Sequence, residues 1–160
     1  MPGHASVERP LRIDLLGDEW SSENDRPGFR WRRMRVAGEA LGASLYELPP
    51  GERTWKYHYE VGNDELLVVV SGRPTLRTPQ GEEELRPGDC ILFPQGPDGA
   101  HQVVNGSDEP ARVLLVSNFA LPRAAFYPDT DEVMVRWSPE PDDRLLFGRD
   151  DAVGYWDRES

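Results

Sequence analysis

A single cysteine, Cys90, stands among 160 residues, so no disulfide can form within the chain, which suits a reducing compartment. Long apolar runs are missing too. None approaches the roughly 20 residues that cross a bilayer, and Met1 to Pro10 lacks the apolar centre of a signal peptide, so a soluble cytoplasmic protein is expected, with no membrane partner. Positive charge is scarce: 18 basic against 29 acidic residues give a net charge of −11, which argues against nucleic acid or an anionic membrane as a partner. No stretch reads as a long helix, no internal repeat signals a duplicated domain, and no helix-turn-helix pattern precedes the central segment. A helical bundle and the regulatory domain of a transcription factor are thereby disfavoured.

What the chain does contain is many short apolar segments cut by turns. Its 15 glycines and 15 prolines suit antiparallel strands joined by tight turns. Residues 1–28 read as an N-terminal arm, with one apolar piece at 11–16 and an isolated Trp20, packing on a barrel edge or on a partner subunit. Phe29 to Val36 alternates apolar and basic residues, the period-two pattern of a strand whose arginines form a wet face balancing nearby carboxylates. Ala43 to Leu48 is a second strand, stopped by Pro49-Pro50-Gly51. From Thr54 to Ser117 strands of four to seven residues alternate with breaks at Gly62, Gly72, Pro79 to Gly81, Pro87 to Asp89, Pro94 to Gly99 and Asn105 to Pro110. Cys90 lies on one of these strands and reads as an inert core residue. The barrel is assigned to 29–120 and a C-terminal extension to 121–160. The extension's aromatic tail, Phe147 to Trp156, is expected to pack on the barrel or across a dimer axis.

The chemistry concentrates between Gly51 and Asn105. On a strand over Trp55 to Glu60, side chains two apart share a face. That sets Thr54, Lys56, His58 and Glu60 on one side, and Trp55, Tyr57 and Tyr59 on the other. Glu65 opens the apolar run Leu66 to Val70, and His101 begins the strand-like His101 to Asn105, with Val103 and Asn105 on its face. Two imidazoles and two carboxylates converge if these strands are neighbours in a closed sheet.

The spacing His58-x-Glu60-x4-Glu65-x6-Gly72, followed by Gly88-x5-Pro94-x-Gly96-x4-His101-x3-Asn105, resembles the two motifs of the cupin superfamily, and in particular small single-domain bacterial cupins. Glu60 replaces the first motif's second histidine, Gly51 lies one residue farther from His58 than the pattern has it, and the loop before His101 carries two extra residues. The resemblance implies an all-β double-stranded β-helix. It also implies one divalent metal (Mn, Fe or Zn) held by His58, Glu60, Glu65 and His101, and a homodimer. Thr54, Lys56, Arg77 and Asn105 are the expected pocket or supporting residues. A carboxylate in place of a neutral histidine favours hard cations and weakens the metal as a Lewis acid. In the alternative arrangement Glu60 pairs with an arginine such as Arg77 and no metal is bound. The implied function is a metal-dependent cupin acting on a small polar metabolite as an oxygenase, isomerase or lyase. The alternative is a non-catalytic, metal-free cupin that binds a sugar or small organic acid as its small-molecule ligand.

Overall fold

A computed structural model of the chain describes residues 12–37, 40–118, 120–138, 140 and 142–157. Among them are thirteen strands and two short 3₁₀ turns, Pro97–Gly99 and Arg149–Asp151. The strands are β1 (Ser22–Asn24), β2 (Trp31–Ala37), β3 (Gly42–Leu48), β4 (Tyr59–Val61), β5 (Glu65–Ser71), β6 (Thr75–Thr78) and β7 (Gly81–Glu84). They continue with β8 (Cys90–Phe93), β9 (Gln102–Val104), β10 (Ala111–Ser117), β11 (Arg123–Tyr127), β12 (Glu132–Arg136) and β13 (Arg144–Gly148). No helix among the described residues is long and apolar enough to cross a membrane.

The pairing is antiparallel throughout, in three sheets: six strands in the order β1-β2-β3-β10-β5-β8, three in the order β7-β6-β9, and four in the order β13-β12-β11-β4. Period-two burial explains why these segments become strands. In β5, Leu67 and Val69 are fully covered while Val68 between them is not, and across the ladder Leu67 faces Leu115 and Val69 faces Val113. The core lies between the six- and three-stranded sheets, where Leu48, Leu67 and Val113 meet Leu76 and Val103. This is the double-stranded β-helix expected from the sequence. The alternating arginines of β2 balance carboxylates as read, with Arg32 on Glu47 and the preceding Arg30 on Glu52 at 2.8 Å.

Two local features differ from the sequence reading. Cys90 is exposed rather than buried, because Ile91 and Phe93 take the inward face of β8 and parity turns Cys90 and Leu92 to solvent. Trp55 to Glu60 is not one strand; only Tyr59–Val61 pairs regularly, and ahead of it stand isolated bridges from Arg53 to Val104 and from His58 to His101. Side chains have captured the backbone acceptors there. Gln102 Nε2 donates to Trp55 O at 2.9 Å, and His58 Nδ1 lies 2.8 Å from Lys56 O.

Glycine is required at the turn after β5. Gly72 has φ of +79°, and a Cβ on it would stand 2.6 Å from Ala111 Cα, so only a residue without a side chain lets β5 turn back beside β10. Beyond the barrel, β11 is hydrogen-bonded to β4, with Ala125 opposite Glu60. The C-terminal strands therefore extend the short strand that carries part of the site.

Candidate metal centre

His58 and His101 are brought together by the backbone. His58 N donates to His101 O at 3.1 Å and His101 N donates to His58 O at 2.8 Å, the reciprocal exchange of a hydrogen-bonded antiparallel pair. Both side chains then leave the same face, with ring centroids 4.8 Å apart. Each ring is oriented from behind: His58 Nδ1 donates to Lys56 O and His101 Nδ1 donates to Gly99 O at 2.9 Å. A carbonyl oxygen only accepts, so the proton sits on Nδ1 and both Nε2 atoms present lone pairs inward.

Glu65, first residue of β5, supplies the third group. Its Oε2 is 3.4 Å from His101 Nε2 and 3.8 Å from His58 Nε2. That oxygen is buried and has no hydrogen-bond partner among the described residues. Two ligand atoms each about 2.1 Å from a cation and 90–110° apart stand about 3.0–3.4 Å from each other, so the group needs little movement to close on a metal. An orphaned buried carboxylate oxygen facing two imidazole lone pairs is a donor set that fits a divalent ion. His58, Glu65 and His101 offer ligand atoms that all lie within 4.8 Å of one another.

Electrostatics in the metal-free protein follow from burial. Desolvation, reinforced by the adjacent Glu60 and opposed by Arg123, pushes the Glu65 carboxyl up to about 8. Desolvation and then the neighbouring His58 hold His101 down at about 3, against the opposing pull of the Gly99 carbonyl. Burial likewise lowers His58. Both imidazoles are therefore neutral at neutral pH, as metal ligands must be.

The structure places the remaining sequence candidates as follows. Glu60 is buried beside this group but outside it, with both carboxylate oxygens 3.3 Å from Arg123 Nη1. Its ion pair is thus made with Arg123 on β11. Arg77 instead makes two bonds to Asp129, at 2.6 and 2.8 Å, and lies over the Tyr57 ring. Lys56 Nζ donates to Glu132 at 2.5 Å and caps the Tyr127 ring. Thr54 is buried and its N–H bonds Val103 O. Asn105 is fully buried and ties a loop: its Nδ2 donates to Leu48 O and Glu109 O while its Oδ1 accepts from Ser107. A cavity of about 140 Å³, lined by Arg53, Lys56, Tyr57, Gln102, Tyr127, Asp129 and Thr130, contains none of the three candidate ligands and adjoins His58 through Lys56 and Tyr127.

Sequence reasoning missed three walls of the site. Phe93 stacks on His101 with centroids 3.7 Å apart and planes at 5°. Tyr127 stacks on His58 at 5.9 Å, and Arg123 reaches Glu60 from two residues before Ala125. The signal for the last two was the period-two run Arg123-Ala-Ala-Phe-Tyr127, which puts Arg123, Ala125 and Tyr127 on one face.

Comparison with known proteins agrees with this geometry. The cupin-domain family profile matches residues 44–117. A sugar phosphate isomerase of the cupin superfamily from Silicibacter pomeroyi superposes with a TM-score of 0.75 at 28% identity, over 89% of this chain and 95% of that one. A candidate sugar phosphate isomerase from Acidithiobacillus ferrooxidans has the same fold, with a TM-score of 0.72 at 23% identity over 80% of this chain and 82% of that one. A Thermus thermophilus protein covers 62% of this chain and 90% of its own at 28% identity and a TM-score of 0.52. A comparison with curated proteins gives no match. The double-stranded β-helix, both motif histidines and the motif glutamate thus lie in residues 44–117, the segment that matches the cupin-domain family.

Proposed function

We propose that this protein is a metal-dependent isomerase that interconverts aldose and ketose forms of a small phosphorylated sugar. The observation that carries the metal half is the buried, partnerless Glu65 Oε2 facing two inward Nε2 atoms. Support for the reaction class is the likeness to the Silicibacter pomeroyi cupin named a sugar phosphate isomerase, which extends over nearly the whole of both chains.

His58, Glu65 and His101 would hold the ion, which when bound supplies a Lewis acid for the oxygens on the two reacting carbons. Isomerisation moves one proton from C2 to C1, which a carboxylate beside the site carries, and a second from the C2 hydroxyl to the C1 oxygen, which passes between the two adjacent oxygens. Glu60 occupies that place; burial raises its carboxyl above the ordinary range, which suits a group that takes up and returns a proton, and Arg123 opposes that shift by steadying the charged form. Phe93 and Tyr127 cover the imidazoles from two sides and keep bulk water off the reacting carbons.

The test combines elemental analysis with proton NMR. Purified protein is expected to carry close to one transition-metal ion per chain, and in D₂O to exchange the C2 proton of an aldose phosphate while producing the ketose. Glu60→Gln should keep the ion and lose both exchange and product. A chain that takes up no metal on titration overturns the proposal. One that binds metal and sugar phosphate with neither exchange nor product is the non-catalytic binder instead.

A further inference from the structure

The sheet that carries Glu60 ends at β13, in the order β4-β11-β12-β13, and among the described residues no strand pairs with the outer side of β13. Trp137 N donates to Asp143 O at 3.3 Å and Arg149 N donates to Asp131 O at 2.9 Å, on the register that sets Val135 opposite Leu145 and Val133 opposite Phe147. Bonded pairs alternate along an antiparallel ladder, so Asp143, Leu145, Phe147 and Arg149 turn their backbone groups to β12, while Arg144, Leu146 and Gly148 turn theirs outward. The side chains along this open edge are apolar. Leu145 is 58% exposed, Leu146 54% and Phe147 38%, with Leu146 on one face of the sheet and the other two on the opposite face. Natural sheets blunt such an edge with charge, as β7 does with Glu82, Glu83 and Glu84. Three large apolar residues in succession leave β13 without that protection.

We infer that β13 is the seat of a homodimer, pairing antiparallel with β13 of a second copy about a twofold axis at Leu146. That register sets Leu146 opposite its own counterpart and Arg144 opposite Gly148, so every outward backbone donor and acceptor on the strand finds a partner. Leu145 then faces Phe147 of the second copy, on the other side of the sheet and once at each side of the axis. One step farther Asp143 meets Arg149, an attractive pair at both ends, and the pairing stops there because Arg149 begins the 3₁₀ turn. Arg149 also reaches Asp131 of its own chain at 3.4 Å, with both side chains exposed, which leaves guanidinium donors for the second copy. A slip of two residues either way sets Asp143 against Phe147 or Arg149 against Leu145, so the charges select one register. Apolar residues on both faces of an edge fit an added strand rather than a flat surface, and the complementary charges make that strand a second copy of this one. A five-residue strand by itself does not reach the roughly 800 Å² per partner of a stable interface; exposed Trp137, beside Asp143, and exposed Tyr155 and Trp156 after the strand offer the further apolar area. The inference does not rest on the proposed reaction.

The experiment is sedimentation equilibrium and light scattering on the full chain at about 10 μM, where a dimer of micromolar or tighter affinity is largely assembled. The expected mass is twice that of the chain. Leu146→Lys sets two ammonium groups against each other across the axis and should weaken the dimer at least about 100-fold, with the circular dichroism spectrum and metal content unchanged because Leu146 is exposed and remote from the ligands. Leu92→Lys, at an exposed position on the β8 edge, is the control and should leave the mass as it is. Charge exchange reads the register. Asp143→Arg and Arg149→Asp each turn two attractive pairs into two repulsive ones and should weaken self-association about tenfold. An equimolar mixture of the two variants, in which every arginine again meets an aspartate across the axis, should recover it. A monomer at the same concentration overturns the assignment and leaves the edge to a strand of some other protein. A dimer indifferent to Leu146→Lys, one broken by Leu92→Lys, or a mixture no tighter than either charge variant alone overturns it as well.

Discussion

Glu65 makes metal affinity a function of pH that can be worked out in advance. In the metal-free protein burial and Glu60 hold its carboxyl near 8, so at neutral pH it keeps its proton and a cation must displace it. His101, held near 3, and His58, also lowered, are already neutral and contribute no protons. With one titrating ligand, uptake of a divalent ion at pH 7 should release about 0.9 proton per site, falling to about 0.1 at pH 9. Affinity should rise roughly 50-fold between pH 6 and pH 8, about 2 kcal/mol, and level off above that. The same shift has a stability consequence of opposite sign. A carboxyl whose folded value lies above its unfolded value of about 4.5 costs nothing while protonated in both states, and lowers stability by up to about 1.4 kcal/mol per unit as pH climbs from there to 8. Calorimetry of zinc or manganese binding in buffers of differing ionisation enthalpy gives the proton count directly, and thermal melts of stripped protein give the stability arm. An affinity that is flat from pH 6 to 8, or binding at pH 7 without proton release, would refute the assignment of Glu65 as a deeply buried ligand. Glu65→Gln should both weaken the site and remove the pH dependence.

Other substitutions probe how the barrel presents the site. His101→Ala should abolish metal uptake while leaving the β-rich circular dichroism spectrum in place; retained stoichiometric metal would exclude His101 as a ligand. Gly99→Ala would put a Cβ 1.7 Å from Pro94 O, forcing apart the turn whose carbonyl orients His101. It should cost on the order of 2–3 kcal/mol and lower metal affinity at least tenfold, by denaturant titration and calorimetry. Asn105→Ala removes an amide that is fully buried and bonds Leu48 O, Glu109 O and Ser107, so a loss of about 2–4 kcal/mol with metal affinity intact is expected. A drop in metal affinity with unchanged stability would move Asn105 from the scaffold to the site.

The candidate ligands were legible because they lie at fixed offsets from turn residues, and turns are written locally. Gly72 and the Pro94 to Gly99 loop fix where β5 ends and where His101 begins, and so the spacing carries the geometry. Parity on an assumed strand over Trp55 to Glu60 also predicted that Tyr57 and Tyr59 leave the opposite face from His58. The strand does not form, and parity fails with it at Tyr57, which is buried under Arg77 and lines one cavity with Lys56 and Tyr127, while Tyr59, on the regular part of β4, stacks on Phe126 at 4.9 Å. Cys90 shows the limit of an apolar run as a guide. Its neighbours Ile91 and Phe93 are inward, and a one-residue step on a strand reverses the face.

What could not be read locally is what pairs across distance. Glu60 is two residues from His58 by sequence, but its partner, Arg123, is 63 residues away. A carboxylate in a cup has only a few ways to be satisfied: a cation, a hydrogen-bond donor, or an arginine. The motif offers the first, but the third is realised by a strand outside the segment that the family profile covers. Because β11 pairs with β4, the strand that supplies Arg123 is held against the strand that carries Glu60. The exchange of a motif histidine for Glu60 and the addition of β11 to β4 are therefore one physical arrangement. A negative side chain inside the cup is tolerable only because the C-terminal sheet brings a positive charge, Arg123, against it.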